Sequence, residues 1–178
     1  ESSDKLINVL DVGGGIAASY FENKASNLFS ENCKFIILEN PQICDLGNEL
    51  FKNNDEINFI EKLPKNKLIF DIIHFGASLH YFENWEDLIK KLIKFNPKYF
   101  IFADLPAADN NSFVSIQNYY GDKIPVHFWN LSEFILKLEK LGFKLVFKSR
   151  YIKDVNKLHG SIDQIKVIVD PFISPNPL

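Results

Sequence analysis

Five short apolar runs punctuate the first hundred residues: LINVLDV (6–12), CKFIILEN (33–40), INFI (57–60), FDIIHFG (70–76) and YFIFADL (99–105). A strand with one wet face alternates apolar and polar residues, whereas these runs are nearly unbroken, as strands covered on both faces are. Most are separated by helix-like segments, the arrangement of a parallel sheet with helices against both faces. NWEDLIKKLIKF (84–95) puts Trp85, Leu88, Ile89 and Leu92 on one stripe with lysines opposite, and Asn84 stands where an N-cap belongs. NLSEFILKLEKLG (130–142) carries Asn130 and Glu133 at capping-box spacing and ends on Gly142, a natural stop. PQICDLGNELFKNN (41–54) opens on Pro41, which suits a first helical turn.

After Gly142 the pattern changes. FKLVFKSRYI (143–152) and QIKVIVD (164–170) leave no room for a helix between them, so they must pair antiparallel. The expected fold is an α/β three-layer sandwich, Rossmann-like in character. Its seven-stranded, mostly parallel sheet closes with an antiparallel C-terminal strand pair, and one domain spans residues 1–178. The connection over 106–130 far exceeds the ~2–6 residues usual in such folds, so we read it as functional.

Composition narrows the function classes. With 178 residues and 46% of them hydrophobic, the chain can bury a sizeable core. A net charge of −3 argues against nucleic acid as a partner. Cys33 and Cys44 form no CxxC motif or His/Cys cluster, which argues against a metal site and fits a reducing, cytoplasmic setting. No apolar run approaches the ~18 residues of a membrane span. The chain opens on Glu1 rather than Met, so an N-terminal segment is expected to be missing.

Chemistry concentrates in LDVGGGIA. Gly13, Gly14 and Gly15 follow the first strand directly, where the absence of a Cβ lets backbone approach a ligand. Gly13, Gly15 and Ala18 satisfy the G-x-G-x-x-A spacing of dinucleotide-binding turns, a signal that does not choose a nucleotide. Asp11 tilts the choice. A carboxylate at this place suits a ligand with an ammonium or sulfonium, and S-adenosylmethionine carries both and no phosphate. Glu39, at the end of the second strand, can accept both ribose hydroxyls, in either an NAD(P) or an S-adenosylmethionine fold. Asn40 is within reach of an adenine edge, and Glu61, past the third strand, of the adenine amino group.

LDVGGG resembles the first motif of class I S-adenosylmethionine-dependent methyltransferases, ILEN their acidic second motif, and FDIIHFGASLHYF their fourth-strand segment. The resemblance runs from Leu6 to about Asp170. SLHYFENW, NSFVSIQNYY and LGFKL further resemble a small methyltransferase family associated with bacterial surface-polysaccharide gene clusters, implying a saccharide hydroxyl as acceptor. From their position after the fourth strand, Phe75, Gly76 and Ala77 are expected to line the cofactor by backbone and small size.

Methyl transfer to a hydroxyl asks for alignment, exclusion of water and a base. Asp104 after the fifth strand, His80 after the fourth, and His127 in the long connection are the candidates. Gln117, Tyr119, Tyr120 and Trp129 are the expected acceptor contacts. His74, inside an apolar run, reads as a core histidine. No metal is needed in principle. No Asn-Pro-Pro-Tyr-type motif follows the fourth strand, which favours oxygen over amide or nucleobase nitrogen as acceptor. Two rivals remain: an NAD(P)-binding oxidoreductase, and a methyltransferase-like module that binds without turnover.

Overall fold

The computed structural model describes residues 6–26, 32–65, 68–119, 121–153 and 162–171. In chain order these form β1 (Ile7–Val12), α1 (Ala18–Ser26), β2 (Cys33–Leu38), α2 (Pro41–Leu50), β3 (Ile57–Ile60) and β4 (Ile72–Gly76). There follow a 3-10 turn (Leu79–Tyr81), α3 (Trp85–Leu92), a second 3-10 turn (Ile93–Phe95) and β5 (Tyr99–Ala108). The chain continues through β6 (Phe113–Tyr119), β7 (Asp122–Asn130), α4 (Leu131–Lys140), β8 (Phe143–Lys153) and β9 (Ile162–Pro171).

The main sheet runs β3-β2-β1-β4-β5, all parallel, then β9 antiparallel to β5 and β8 antiparallel to β9. These are the seven strands expected, in an α/β sandwich. The difference lies in the 106–130 connection. It is not an open loop: it folds as the antiparallel hairpin β6–β7, whose second strand joins the end of β5 through Ala107 and Ala108. VSIQNY and KIPVHFW carry β-branched and aromatic residues at strand frequency, and Gly121 takes the left-handed turn with φ +96°.

Alternation along the strands divides the core. Leu10, Val12, Ile73, Phe75, Phe100 and Phe102 face α3 and α4, where Trp85, Ile89, Leu92, Phe134 and Leu138 complete one cluster. Val9, Phe35 and Ile37 face the other way, against Tyr20 of α1 and Cys44 of α2. The first cluster is largely aromatic: Phe75 stacks on Phe102 at 5.4 Å between centroids, and Phe102 meets Phe134 edge-on at 5.5 Å. Each such ring contributes about 1.5–3 kcal/mol by leaving water. Gly47 lets α2 lie close on β3, since a Cβ there would sit 2.5 Å from the Phe59 ring.

Side-chain caps form at two of the three helices read from the sequence, at Asn130 as expected and at Asn40, a residue expected beside adenine. Asn40 Oδ1 accepts from Ile43 N at 3.1 Å ahead of Pro41, and Asn130 Oδ1 accepts from Glu133 N at 2.9 Å. The box at α4 closes through a third residue: Ser112 Oγ accepts from Asn130 N and donates to Glu133 Oε2. Asn84 departs from expectation. Its backbone, at φ −100° and ψ 50°, carries its side chain away from the α3 N–H groups, and it makes no capping bond.

Candidate active site

The chain leaves β1 for β2 on one side and returns to β4 on the other, so the β1/β4 edge is a topological switch point. Ligands of open α/β sheets bind outside the carboxyl ends of the strands at such a crevice. The glycine turn stands there. Gly13 and Gly15 have φ of +68° and +56°, and Gly13 N donates to Leu38 O at 2.9 Å. A Cβ on Gly13 would meet Ser78 Cβ at 2.7 Å, and one on Gly14 would meet Asp11 Oδ2 at 2.5 Å. Ser78 Oγ in turn donates to Val12 O, tying the end of β4 to the end of β1.

Three non-glycine residues with left-handed backbone surround the same strand ends: Ala17 (φ 58°), Ala77 (φ 55°) and Asp104 (φ 53°). Each such residue costs on the order of 1 kcal/mol or more and persists where surrounding structure holds it, commonly at functional sites. Asp104 sits where the β5–β9 register slips between Phe102 and Leu105, a bulge that turns its side chain out of the ladder.

Asp11 is fully buried. Its Oδ1 lies 2.8 Å from His74 Nδ1, and its Oδ2 has no hydrogen-bond partner among the described residues. Parallel pairing of β1 with β4 sets Asp11 opposite His74, so both side chains emerge on the α1 face. Glu39, half-buried at the tip of β2, accepts from Gly15 N at 3.1 Å, Asn40 N at 2.9 Å and Asn40 Nδ2 at 3.1 Å. Glu61 is exposed just past β3, one residue beyond the Ile60 carbonyl that receives Glu39 N. Asn40 spends its carbonyl oxygen on the α2 cap rather than leaving it free for a ligand.

Beside the turn, on the α1 face, runs a groove of about 590 Å³. Its apolar floor is Val9, Phe35, Ile72 and Ile101. Its polar wall is Ser19, Glu22 and Asn23 of α1 with His74 and Asp104, while Gly76 and Ala77 shape its upper end.

No family model matches the sequence, and no curated protein does. Solved structures match the fold along its whole length. An S-adenosylmethionine-dependent methyltransferase from Methanosarcina mazei aligns over 96% of this chain and 95% of its own, with TM-score 0.71 at 12% identity. The 1,6-didemethyltoxoflavin-N1-methyltransferase of Burkholderia thailandensis, with bound 1,6-didemethyltoxoflavin and S-adenosylhomocysteine, aligns over 94% of this chain and 72% of its own. Its TM-score is 0.64 at 13% identity. This is the Rossmann-like methyltransferase fold.

Within this methyltransferase fold the expected site residues divide into groups. Asp11, the three glycines, Glu39, Asn40 and Glu61 stand together at the tips of β1, β2 and β3. Asp104, Gly76 and Ala77 belong to the groove. His80, His127, Gln117 and Tyr119 gather elsewhere, where the β6–β7 hairpin meets the 3-10 turn. There Tyr81 Oη donates to Gln117 Oε1 at 3.1 Å, and the Tyr81 and Tyr119 rings lie 6.5 Å apart. His80 is buried with Nδ1 unpartnered among the described residues. Burial, helped by the nearby His127, pushes its pKa down to about 4.

One expected acceptor contact lies in the core. Trp129, expected at the acceptor, is 5% exposed and packs at 6.0 Å from Trp85 and 5.4 Å from Phe134. Strand alternation turns it inward because its neighbour Phe128 faces out to stack on Phe113 at 4.8 Å. The Phe75 side chain packs into the aromatic cluster, which leaves its backbone at the strand end, the part expected to line the cofactor. Tyr120 lies outside the described residues. His74 is the residue sequence reasoning missed: a lone imidazole in an apolar run reads as core until β1 is set beside β4. Among the described residues no three His, Cys, Asp or Glu side chains group as metal ligands, and no helix is long and apolar enough to cross a membrane.

Proposed function

We propose that this chain is an S-adenosylmethionine-dependent methyltransferase acting on an oxygen of a small molecule or saccharide precursor. The observation that carries this reading is Asp11 Oδ2, a fully buried carboxylate oxygen left without a partner directly beneath Gly14. A buried carboxylate oxygen without a donor is costly, and a cationic ligand over the glycine turn would offset that cost. The donor set fits the cofactor on further grounds: Gly15 has nothing within 4 Å where a Cβ would stand, leaving that side of the turn open, and Glu39 is held at the tip of β2 by three N–H groups.

The cofactor supplies an activated methyl group on a sulfonium. The protein must therefore hold donor and acceptor in line, keep water out and accept a proton. Asp11 and the glycine turn would hold the amino-acid end, Glu39 the ribose hydroxyls, and Gly76 and Ala77 the space beside the sulfonium. Asp104 would reach the acceptor from the β5 bulge. His127, Gln117 and Tyr119 would contribute from the hairpin side. A histidine held near pKa 4 is a weak proton acceptor, which counts against His80 as the base.

Calorimetric titration with S-adenosylhomocysteine, with NADH in parallel, tests the assignment. Binding of S-adenosylhomocysteine alone is expected. Binding of NADH alone would establish an oxidoreductase instead.

A further inference from the structure

We infer that His74, held by Asp11, takes the proton from the methyl acceptor, and that the α1-face groove admits hydroxyl compounds of neutral or positive charge. This rests on the methyltransferase reading above and deepens it.

The Asp11–His74 pair has the parts of a carboxylate-oriented base. Asp11 Oδ1 lies 2.8 Å from Nδ1 of a ring whose side chain is 16% exposed, while the carboxylate itself is fully buried. A carboxylate on one imidazole nitrogen places the proton there and leaves the other nitrogen with its lone pair outward. The ring packs against Gly76, where a Cβ would meet His74 Cε1 at 2.8 Å, so a larger residue at 76 would push it aside. His74 is among the residues that line the groove. With an acceptor hydroxyl beside Nε2, the O–H bond breaks toward that nitrogen as the oxygen lone pair bonds the methyl carbon. The methyl–sulfur bond breaks with its electron pair remaining on sulfur. The imidazolium, steadied by Asp11, then returns the proton to water. His74 is thus a catalytic residue and Asp11 a positioning residue.

Charge sets the acceptor class. Glu22 from α1 and Asp104 from β5 line the groove, Asp11 from β1 touches the ring, and among the described residues that line it there is no lysine or arginine. Among the described residues an anionic acceptor, a sugar phosphate included, would meet three carboxylates. The floor of Val9, Phe35, Ile72 and Ile101 suits an apolar body.

The test uses three phenols of similar shape and different charge: 4-ethylphenol, tyramine and 4-hydroxyphenylacetate. Each is titrated into histidine-labelled protein, with and without S-adenosylhomocysteine, and imidazole signals are followed by NMR, with His74→Gln assigning the resonance. His74 is expected as the Nδ1–H tautomer, a preference lost in Asp11→Asn. The neutral and cationic phenols should shift its signals, and the anion should bind at least tenfold more weakly. Asp104→Asn should narrow that gap without loss of fold, because asparagine accepts left-handed backbone. An Nε2–H tautomer, no shift of His74 by any phenol, or equal binding of the anion would each overturn the inference. Failure of S-adenosylhomocysteine to bind would instead fall on the methyltransferase reading, and is told apart because tautomer and phenol shifts are read without it.

Discussion

Two histidines flank the carboxyl end of β4, and their surroundings could hardly differ more. His74 meets a buried carboxylate on one side and an open groove on the other. His80, six residues later, is enclosed, with Nδ1 unpartnered among the described residues and its pKa pushed down to about 4. One imidazole is oriented by a charge; the other is kept neutral by desolvation. Residue type alone suggests the same chemistry for both, and environment separates them.

The sharpest way to break this contrast is to exchange its consequences. His74→Gln should lower turnover by a factor on the order of 10² to 10⁴ while S-adenosylhomocysteine affinity stays within about threefold. His80→Gln should leave turnover near wild type. Initial rates of S-adenosylhomocysteine formation decide, and the reverse pattern would exchange the roles.

Next in size is an effect on stability. The folded-state pKa of His80 lies below its ordinary value, so the unfolded chain binds its proton first. Its contribution is therefore present above about pH 6.5 and lost as pH falls toward about 4. The loss should be on the order of 3 kcal/mol. Urea melts across that range should show it in the wild type and a flatter curve in His80→Leu. Matching curves would mean that His80 is more hydrated than its burial indicates.

Smaller effects sharpen the picture on each side. Glu39→Ala should weaken S-adenosylhomocysteine binding by tenfold or more, about 1.4 kcal/mol, since two charge-assisted bonds to ribose are lost. An unchanged calorimetric affinity would remove Glu39 from the ribose. Tyr81→Phe removes one exposed bond to Gln117 and should cost at most about 1 kcal/mol in a thermal melt. A larger drop would show the hairpin to depend on that contact.

How much of this was legible in the chain varies with the range of the interaction. The seven strands, the cap at Asn130 and the glycine turn after β1 rest on local patterns of a few residues. The hairpin in 106–130 was missed because its polar and aromatic residues, mostly exposed along β6, lack the apolar runs that mark buried strands. Trp129 was misplaced for a related reason: which face of β7 turns inward depends on α3 and α4, elements remote in sequence.

By itself, the sequence determined a parallel α/β sheet with a glycine turn after β1 and acidic residues at the tips of β1 and β2. Hydrophobic periodicity and steric allowance are local properties, and local residues suffice to state them. Only the tertiary structure decided that Asp11 lies against His74, that Asp104 leaves the ladder at a bulge, and that His80 is desolvated. Those facts depend on register between strands about sixty residues apart and on which helices cover which face.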